Sequence, residues 1–262
     1  MDLNLTGKTA LVCGSTQGIG LATAVELALM GANVTLVARN EEKLRQAVEM
    51  LDTSASQLHR YVVADFADNQ NVKDAIENYL RLCPEVHILI NNTGGPSGGP
   101  IIEAETDQFL KTFQMHLINN QFLAQAVVPF MKKAGFGRIV NIISTSVKQP
   151  IAGLGVSNTI RGAVASWSKT LSLELGQYGI TSNNVLPGYT ETARLDAVLE
   201  MRSKTQGKSR EDIAKEMQAS IPIRRFSEAK EVAAAVAFLC SPAAASVSGV
   251  NLPVDGGKTE SM

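Results

Sequence analysis

The chain has 262 residues, 45% of them hydrophobic, and a formal net charge of −1. That length and apolar share suffice for one large core, and the balanced charge gives no reason to expect nucleic acid or an anionic membrane as a partner. The opening MDLNLTGK lacks a secretory pattern, the longest apolar run (Val232 to Cys240) is too short to span a bilayer, and three scattered cysteines (Cys13, Cys83, Cys240) predict buried thiols in the reducing cytoplasm.

Short apolar runs alternate with helical stretches along the chain. Strands are predicted at Thr9–Cys13, Asn33–Arg39, Arg60–Asp65, His87–Asn91, Arg138–Ser144, Thr181–Leu186 and Val250–Val254. Helices are predicted between them, at Ile19–Met30, Glu41–Leu51, Asn69–Leu82, Asp107–Lys133, Thr159–Gln177 and Glu228–Leu239. Strands that are apolar throughout indicate a sheet covered on both faces, and the alternation with helices implies parallel strands joined by right-handed crossovers. The expected fold is therefore α/β, a Rossmann-type doubly wound sheet of about seven parallel strands with helices on both faces, binding its ligands at the carboxyl ends of the strands. No linker or repeat divides residues 1–262, so one domain is expected, with a single long insertion at 193–221.

The first predicted strand runs straight into Gly14-Ser15-Thr16-Gln17-Gly18-Ile19-Gly20 and then a helix. A sharp strand-to-helix turn leaves the first N–H groups of the helix pointing outward, and with the positive end of the helix dipole they favour an anion such as a dinucleotide pyrophosphate. Gly14 suits the turn, Gly18 lets backbone approach the phosphates, and Gly20 lets helix and strand pack closely. The spacing is G-x-x-x-G-x-G, and such a turn by itself also serves as an ordinary tight connection.

Further motifs follow at the strand ends: Asp65, Asn91-Asn92-Thr93-Gly94, Pro187-Gly188 with Thr192, Ile221-Pro222-Ile223-Arg224-Arg225-Phe226, and Val254-Asp255-Gly256-Gly257. With the glycine turn, these motifs make the chain resemble the short-chain dehydrogenase/reductase family over essentially its full length, closest in style to the 3-oxoacyl-thioester (acyl-carrier-protein) reductase branch. The resemblance implies that Asp65 bonds the adenine amino group and Asn91 steadies the central strands. It also implies that Gly94 makes room for the nicotinamide ribose and Thr192 holds the carboxamide, with Ser15, Gln17, Ile19, Pro187 and Gly188 completing the cofactor site. Taken singly, Asp65 also reads as a helix cap and Pro-Gly as a loop breaker. Arg39, at the end of the second strand, is positioned to pair with a 2′-phosphate, and Ala38 brings no carboxylate to repel one, so NADP(H) is expected over NAD(H). A solvated Arg39 paired with Glu41 or Glu42 is the alternative.

The family's proton machinery is a serine, a tyrosine, a lysine four residues later, and an asparagine on the preceding helix. The serine matches Ser144, whereas by family spacing the tyrosine position falls on Ser157, the lysine position on Arg161 and the asparagine position on His116. The frame is fixed by Arg161-Gly162-Ala163 leading into Ser168-Lys169-Thr170-Leu171. A serine is shorter and less acidic than a phenol, whose ordinary pKa is about 10, and Arg161 keeps the charge and is expected to bond the ribose hydroxyls of the cofactor, but an arginine cannot relay a proton. His116 reads first as a helix histidine bonded to backbone or water, and second as a replacement acid expected to titrate near neutrality. Tyr189 is expected to line the pocket.

Three functions stay open on these residues: an NADPH-linked reductase of a 3-oxoacyl thioester or other ketone, a nucleotide-binding protein without turnover, and a different reaction in which Arg161 and His116 bind an anionic substrate. In the insertion, Leu195, Val198, Leu199 and Met201 predict one amphipathic helix and Ile213, Ala214 and Met217 another, a lid over the substrate pocket. Its six basic and five acidic residues give no charge preference. Lys132, Lys133 and Arg138 read as a small basic cluster or a solvated helix end. Family resemblance and the two long apolar helices at Asp107–Lys133 and Thr159–Gln177 imply a homotetramer.

Overall fold

The computed structural model describes residues 1–261. Its centre is a sheet of seven strands: β1 (Thr9–Cys13), β2 (Asn33–Ala38), β3 (Arg60–Val63), β4 (Ile88–Asn91), β5 (Gly137–Ile142), β6 (Ile180–Pro187) and β7 (Asn251–Val254). All neighbours are parallel, in the order β3-β2-β1-β4-β5-β6-β7. The order reverses between β1 and β4, which opens a crevice at the carboxyl edge.

Helices cover both faces. On one side α1 (Gly18–Leu29), α2 (Glu41–Glu49) and α9 (Ala229–Cys240) bury Leu27, Leu44 and Val236 against Val12, Leu36 and Val140. The buried residues of α1 are Gly20, Thr23, Ala24, Leu27 and Ala28, the spacing of one helical face. On the other side α3 (Asn69–Leu82) and α5 (Asn119–Ala134) bury Ile76, Leu123 and Met131 against Leu11, Leu89 and Ile139. Two further helices complete that side, α4 (Thr106–Phe113) before α5 and α6 (Gly155–Leu175) after β5. Finally α7 (Ala193–Gln206) and α8 (Arg210–Ala219) form a pair between β6 and α9.

Several boundaries differ from the sequence reading. Arg39, Asp65 and Ser144 fall just past β2, β3 and β5, in the loops at the carboxyl edge, because the ladders end before them. The long helix expected at Asp107–Lys133 is divided into α4 and α5 by a π-helical turn, Gln114–Ile118, which carries His116. Such turns insert one residue and re-aim the side chains around them.

The expectation of strands apolar throughout fails at β6, where Thr181, Ser182, Asn183 and Asn184 are all buried. A chain of amides explains much of this. Asn91 Nδ2 donates to Asn141 Oδ1 at 2.8 Å, Asn141 Nδ2 to Asn184 Oδ1 at 2.9 Å, and Asn184 Nδ2 to Asn251 Oδ1 at 2.8 Å. These residues are in register from β4 to β7, so the amides link strand to strand, although Asn91 Oδ1 and Thr181 Oγ1 stay unpaired among the described residues.

Three smaller expectations are corrected. Arg138 does not join Lys132 and Lys133 at the surface: it is 3% exposed, and its guanidinium donates to the carbonyls of Gly137, Gly179 and Ser241. Its partner strands demand a filled interior there, whereas Lys132 Nζ lies over the Tyr178 ring, 4.0 Å from its centroid. Cys83, at the end of α3, is only half-buried, unlike Cys13 and Cys240. Met201 is 51% exposed, off the apolar side of α7 that Leu195 and Leu199 form.

Candidate active site

The glycine turn closes the carboxyl end of β1. Gly14 has φ +59° and donates its N–H to Val37 O at 2.8 Å. A β-carbon on Gly20 would lie 2.1 Å from Gly14 O, so the start of α1 and the end of β1 approach as only glycine allows. Gln17, at the helix start, makes no side-chain cap, and the first turn holds no acidic residue. The leading N–H groups of α1 are thus left for an external anion.

Ser15 does not reach the cleft: it is fully buried, and its hydroxyl accepts from Val37 N at 3.0 Å. Asn92, whose role its sequence position does not reveal, clamps the turn by donating to Gly14 O at 3.0 Å and Cys13 O at 3.3 Å. Its place in Asn91-Asn92-Thr93-Gly94 was the available signal that it has a role.

From this turn a cleft of about 1160 Å³ runs along the carboxyl edge, lined by Thr16, Gln17, Gly18, Ile19, Arg39, Asp65, Gly94, Pro187, Gly188 and Thr192, among others. Asn91 and Gly20 lie behind its wall, in the sheet and in the helix–strand contact. Arg39 stands at one end beside Asn40 and Lys43. Glu41 pairs instead with Arg45 at 2.7 Å and accepts from Tyr61, and Glu42 accepts from Gln46 at 3.0 Å, so among the described residues neither acid holds Arg39. Asp65 Oδ1 accepts from Ala67 N at 3.0 Å, while the cap of α3 is Asp68.

The other end gathers Ser144, Ser157, Arg161 and His116, with Thr93, Tyr189, Arg194 and Val198. Ser144 Oγ accepts from Ser146 N at 3.1 Å. Arg161, on α6, is 8% exposed, and Nη1 donates to Ile142 O at 3.0 Å. Burial first, and then the Arg194 charge, lower its pKa to about 10. His116 is 2% exposed, with Nδ1 2.6 Å from Thr93 Oγ1 and Nε2 lacking a partner. Burial first, then Arg161, push its pKa down to about 2, so the imidazole is neutral in ordinary buffers and the expected titration near pH 7 is not supported.

Thr192 Oγ1 donates to Thr190 O at 3.2 Å at the start of α7. Leu195, Leu199, Ile213, Met217, Ile221 and Phe226 form a separate apolar cluster beneath α7 and α8, with Tyr189 packed edge-on to Phe226. Of the residues lining the whole cleft, six are basic (Arg39, Lys43, Lys111, Arg161, Arg194, Lys258) and one is acidic, Asp65. The balanced charge of the insertion hid this, because the cations come from distant parts of the sequence. Arg194 gave no local signal at all.

A family profile described as Enoyl-(Acyl carrier protein) reductase matches residues 14–259. L-sorbose reductase from Gluconobacter frateurii, solved with NADPH and L-sorbose, is 30% identical with a TM-score of 0.93, and the match covers 100% of each chain. Actinorhodin polyketide ketoreductase, solved with NADPH, is 33% identical with a TM-score of 0.89 over 97% of each chain. Xylitol dehydrogenase, solved with NAD+, is 28% identical with a TM-score of 0.88, over 96% of this chain and 99% of its own. With the sheet order, the glycine turn and the strand-end cleft, these matches show that the chain belongs to the short-chain dehydrogenase/reductase family of oxidoreductases.

Proposed function

We propose that this chain reduces a ketone or 3-oxoacyl thioester with NADPH, at a reacting end where Ser157 and Arg161 replace the family's tyrosine and lysine and His116 its asparagine. The observation that carries the cofactor reading is the cleft itself. It joins the uncapped start of α1, fit for a pyrophosphate, to an Arg39 that no carboxylate holds among the described residues, fit for a 2′-phosphate. When bound, the nicotinamide supplies the hydride. Gly94, beside which a β-carbon would meet nothing within 4 Å, leaves room for its ribose, and Asp65 and Thr192 line the same cleft, which supports the adenine and carboxamide roles that the family resemblance implies for them.

At the reacting end the Ser144 hydroxyl donates to the substrate oxygen and Ser157 extends that wall. Arg161 holds a fixed positive charge where the oxygen becomes an alkoxide. The α7–α8 pair closes over the substrate with Leu195 and Val198 on the cleft side. Steady NADPH oxidation over a panel of ketones and 3-oxoacyl thioesters tests the reading. Turnover should be slow, because a positioned acid is worth about 10²–10⁴-fold. Ser157→Tyr with Arg161→Lys should raise it more than either change alone, since a phenol needs the nearby lysine to lower its pKa. A fast wild type that the double change disables would make Ser157 and Arg161 a catalyst in their own right. Tight NADPH binding with no oxidation would favour a nucleotide-binding role.

We also infer a cytoplasmic homotetramer paired through α4, α5 and α6. Leu110 and Phe113 on α4, Ile118 in the π-turn and Leu173 on α6 are exposed in the single chain, which supports such pairing. Sedimentation at micromolar protein giving a monomer mass would refute it. No helix among the described residues is long and apolar enough to cross a membrane.

A further inference from the structure

The reacting end holds more positive charge than a neutral ketone needs. The Nη2 atoms of Arg161 and Arg194 lie 3.7 and 3.9 Å from the position a β-carbon on Gly95 would take, and beyond the glycine's own chain neighbours no other described atom comes within 4 Å of that point. Two guanidiniums therefore approach the same face of Gly95. Arg161 is buried and gives one hydrogen bond, to Ile142 O; Arg194 Nη2 gives one to Pro96 O at 3.0 Å. Among the described residues, no salt bridge contains either side chain.

A buried cation without a counter-ion is costly, and a second cation beside it adds repulsion. The depressed pKa of Arg161 reflects both effects. His116 adds a buried Nε2 without a partner next to the same charge. Guanidinium forks match a carboxylate in plane and spacing, which makes an external carboxylate the natural counter-ion.

The location selects its source. Phosphates of a dinucleotide are provided for at the start of α1 and at Arg39. Arg161 instead is bonded to the last residue of β5, two residues before Ser144, so an anion it holds lies beside the reacting carbonyl. We infer that the substrate is an oxo acid whose carboxylate is held between Arg161 and Arg194 while its ketone oxygen faces Ser144. This rests on the reductase reading above and narrows it. The carboxylate passes through the reduction unchanged, and a thioester, neutral at its reacting end, would leave the two cations unpaired.

The test pairs 4-methyl-2-oxopentanoate with its methyl ester in NADPH oxidation, for the wild type and Arg194→Gln. Arg194 is exposed on α7, so the substitution leaves the core intact. A lost charge-assisted hydrogen bond predicts that kcat/KM for the acid relative to the ester falls about 10- to 100-fold, chiefly through KM. Separately, oxamate and the neutral oxamide are titrated into the complex with NADP+. Oxamate should bind, oxamide should not, and Arg194→Gln should weaken oxamate by the same factor with NADPH affinity retained. Equal use of acid and ester, or a variant that weakens NADPH in place of oxamate, would overturn the inference. If no carbonyl compound is reduced, the reductase reading fails, yet selective oxamate binding weakened by Arg194→Gln still supports the carboxylate site.

Discussion

Replacing His116 by asparagine should flatten the acid side of the stability curve, and the size of the effect follows from the burial of the ring. In the folded chain the imidazole pKa is lowered from 6.5 to about 2, chiefly by burial and then by Arg161. The unfolded chain therefore binds the extra proton as pH falls below 6.5. Stability tied to the neutral ring is fully present above about pH 7 and is lost progressively down to the folded value. At pH 5.0 the unfolded form is favoured by about 1.5 pH units of proton binding, or about 2 kcal/mol. Asparagine has no such titration and is long enough to keep a polar contact with Thr93. Urea unfolding followed by circular dichroism, at pH 7.5 and 5.0 and one protein concentration, measures the difference. The wild type should lose about 2 kcal/mol more than His116→Asn between the two. His59, His87 and the carboxylates are common to both proteins and cancel. Equal losses would show that His116 is solvated or protonated in the folded state, and the electrostatic account of the site would be wrong.

Arg39→Ala should weaken NADPH about 10- to 100-fold, the worth of a charge-assisted hydrogen bond, and leave NADH nearly as before; parallel titrations of both nucleotides decide it. Gly20→Ala should destabilise the fold by about 3 kcal/mol or more, because its β-carbon would lie 2.1 Å from Gly14 O. Thermal unfolding checks this, and a shift of under a degree or two would mean that the turn yields.

Much of the fold was legible because it is written in local patterns. Short runs bounded by turn residues marked all seven strands, six of them mainly apolar, and the strand-end motifs placed Asp65, Gly94, Pro187, Gly188 and Thr192 along one cleft. What escaped was pairing at a distance. The amides of Asn91, Asn141, Asn184 and Asn251 make sense of a polar β6 only once β4 to β7 are in register. Ser15 was assigned to the cofactor by its place in the turn, yet its hydroxyl is committed to Val37, a partner 22 residues away. Arg138 looked like one more surface cation until the sheet buried it. Arg194 was one of six basic residues in a charge-balanced insertion, and only the approach of α7 to Gly95 sets it against Arg161.

On the proposed reading, the changes at the reacting end act as a set, and their joint consequence is a pH profile. Arg161 holds its charge up to about 10, so at neutral pH the cation is permanent. That charge, added to burial, keeps His116 neutral down to about 2, with Nδ1 already bonded to Thr93. The proton-bearing side chains that remain at that end are the hydroxyls of Ser144, Ser157, Thr93 and Tyr189. An alkoxide forming there is stabilised by a fixed charge, and its proton arrives afterwards from water through a hydroxyl. Neither Arg161 nor His116 changes protonation between pH 6 and 9, so kcat should be flat across that window. Ser157→Tyr with Arg161→Lys should introduce a limb, because the restored phenol titrates within reach of a lysine. Initial rates at saturating NADPH across the window, for both proteins, make the comparison. A bell-shaped wild-type profile with a limb near pH 6–8 would mean that an acid such as His116 does titrate at work, and that Arg161 does not set the charge state of its neighbour.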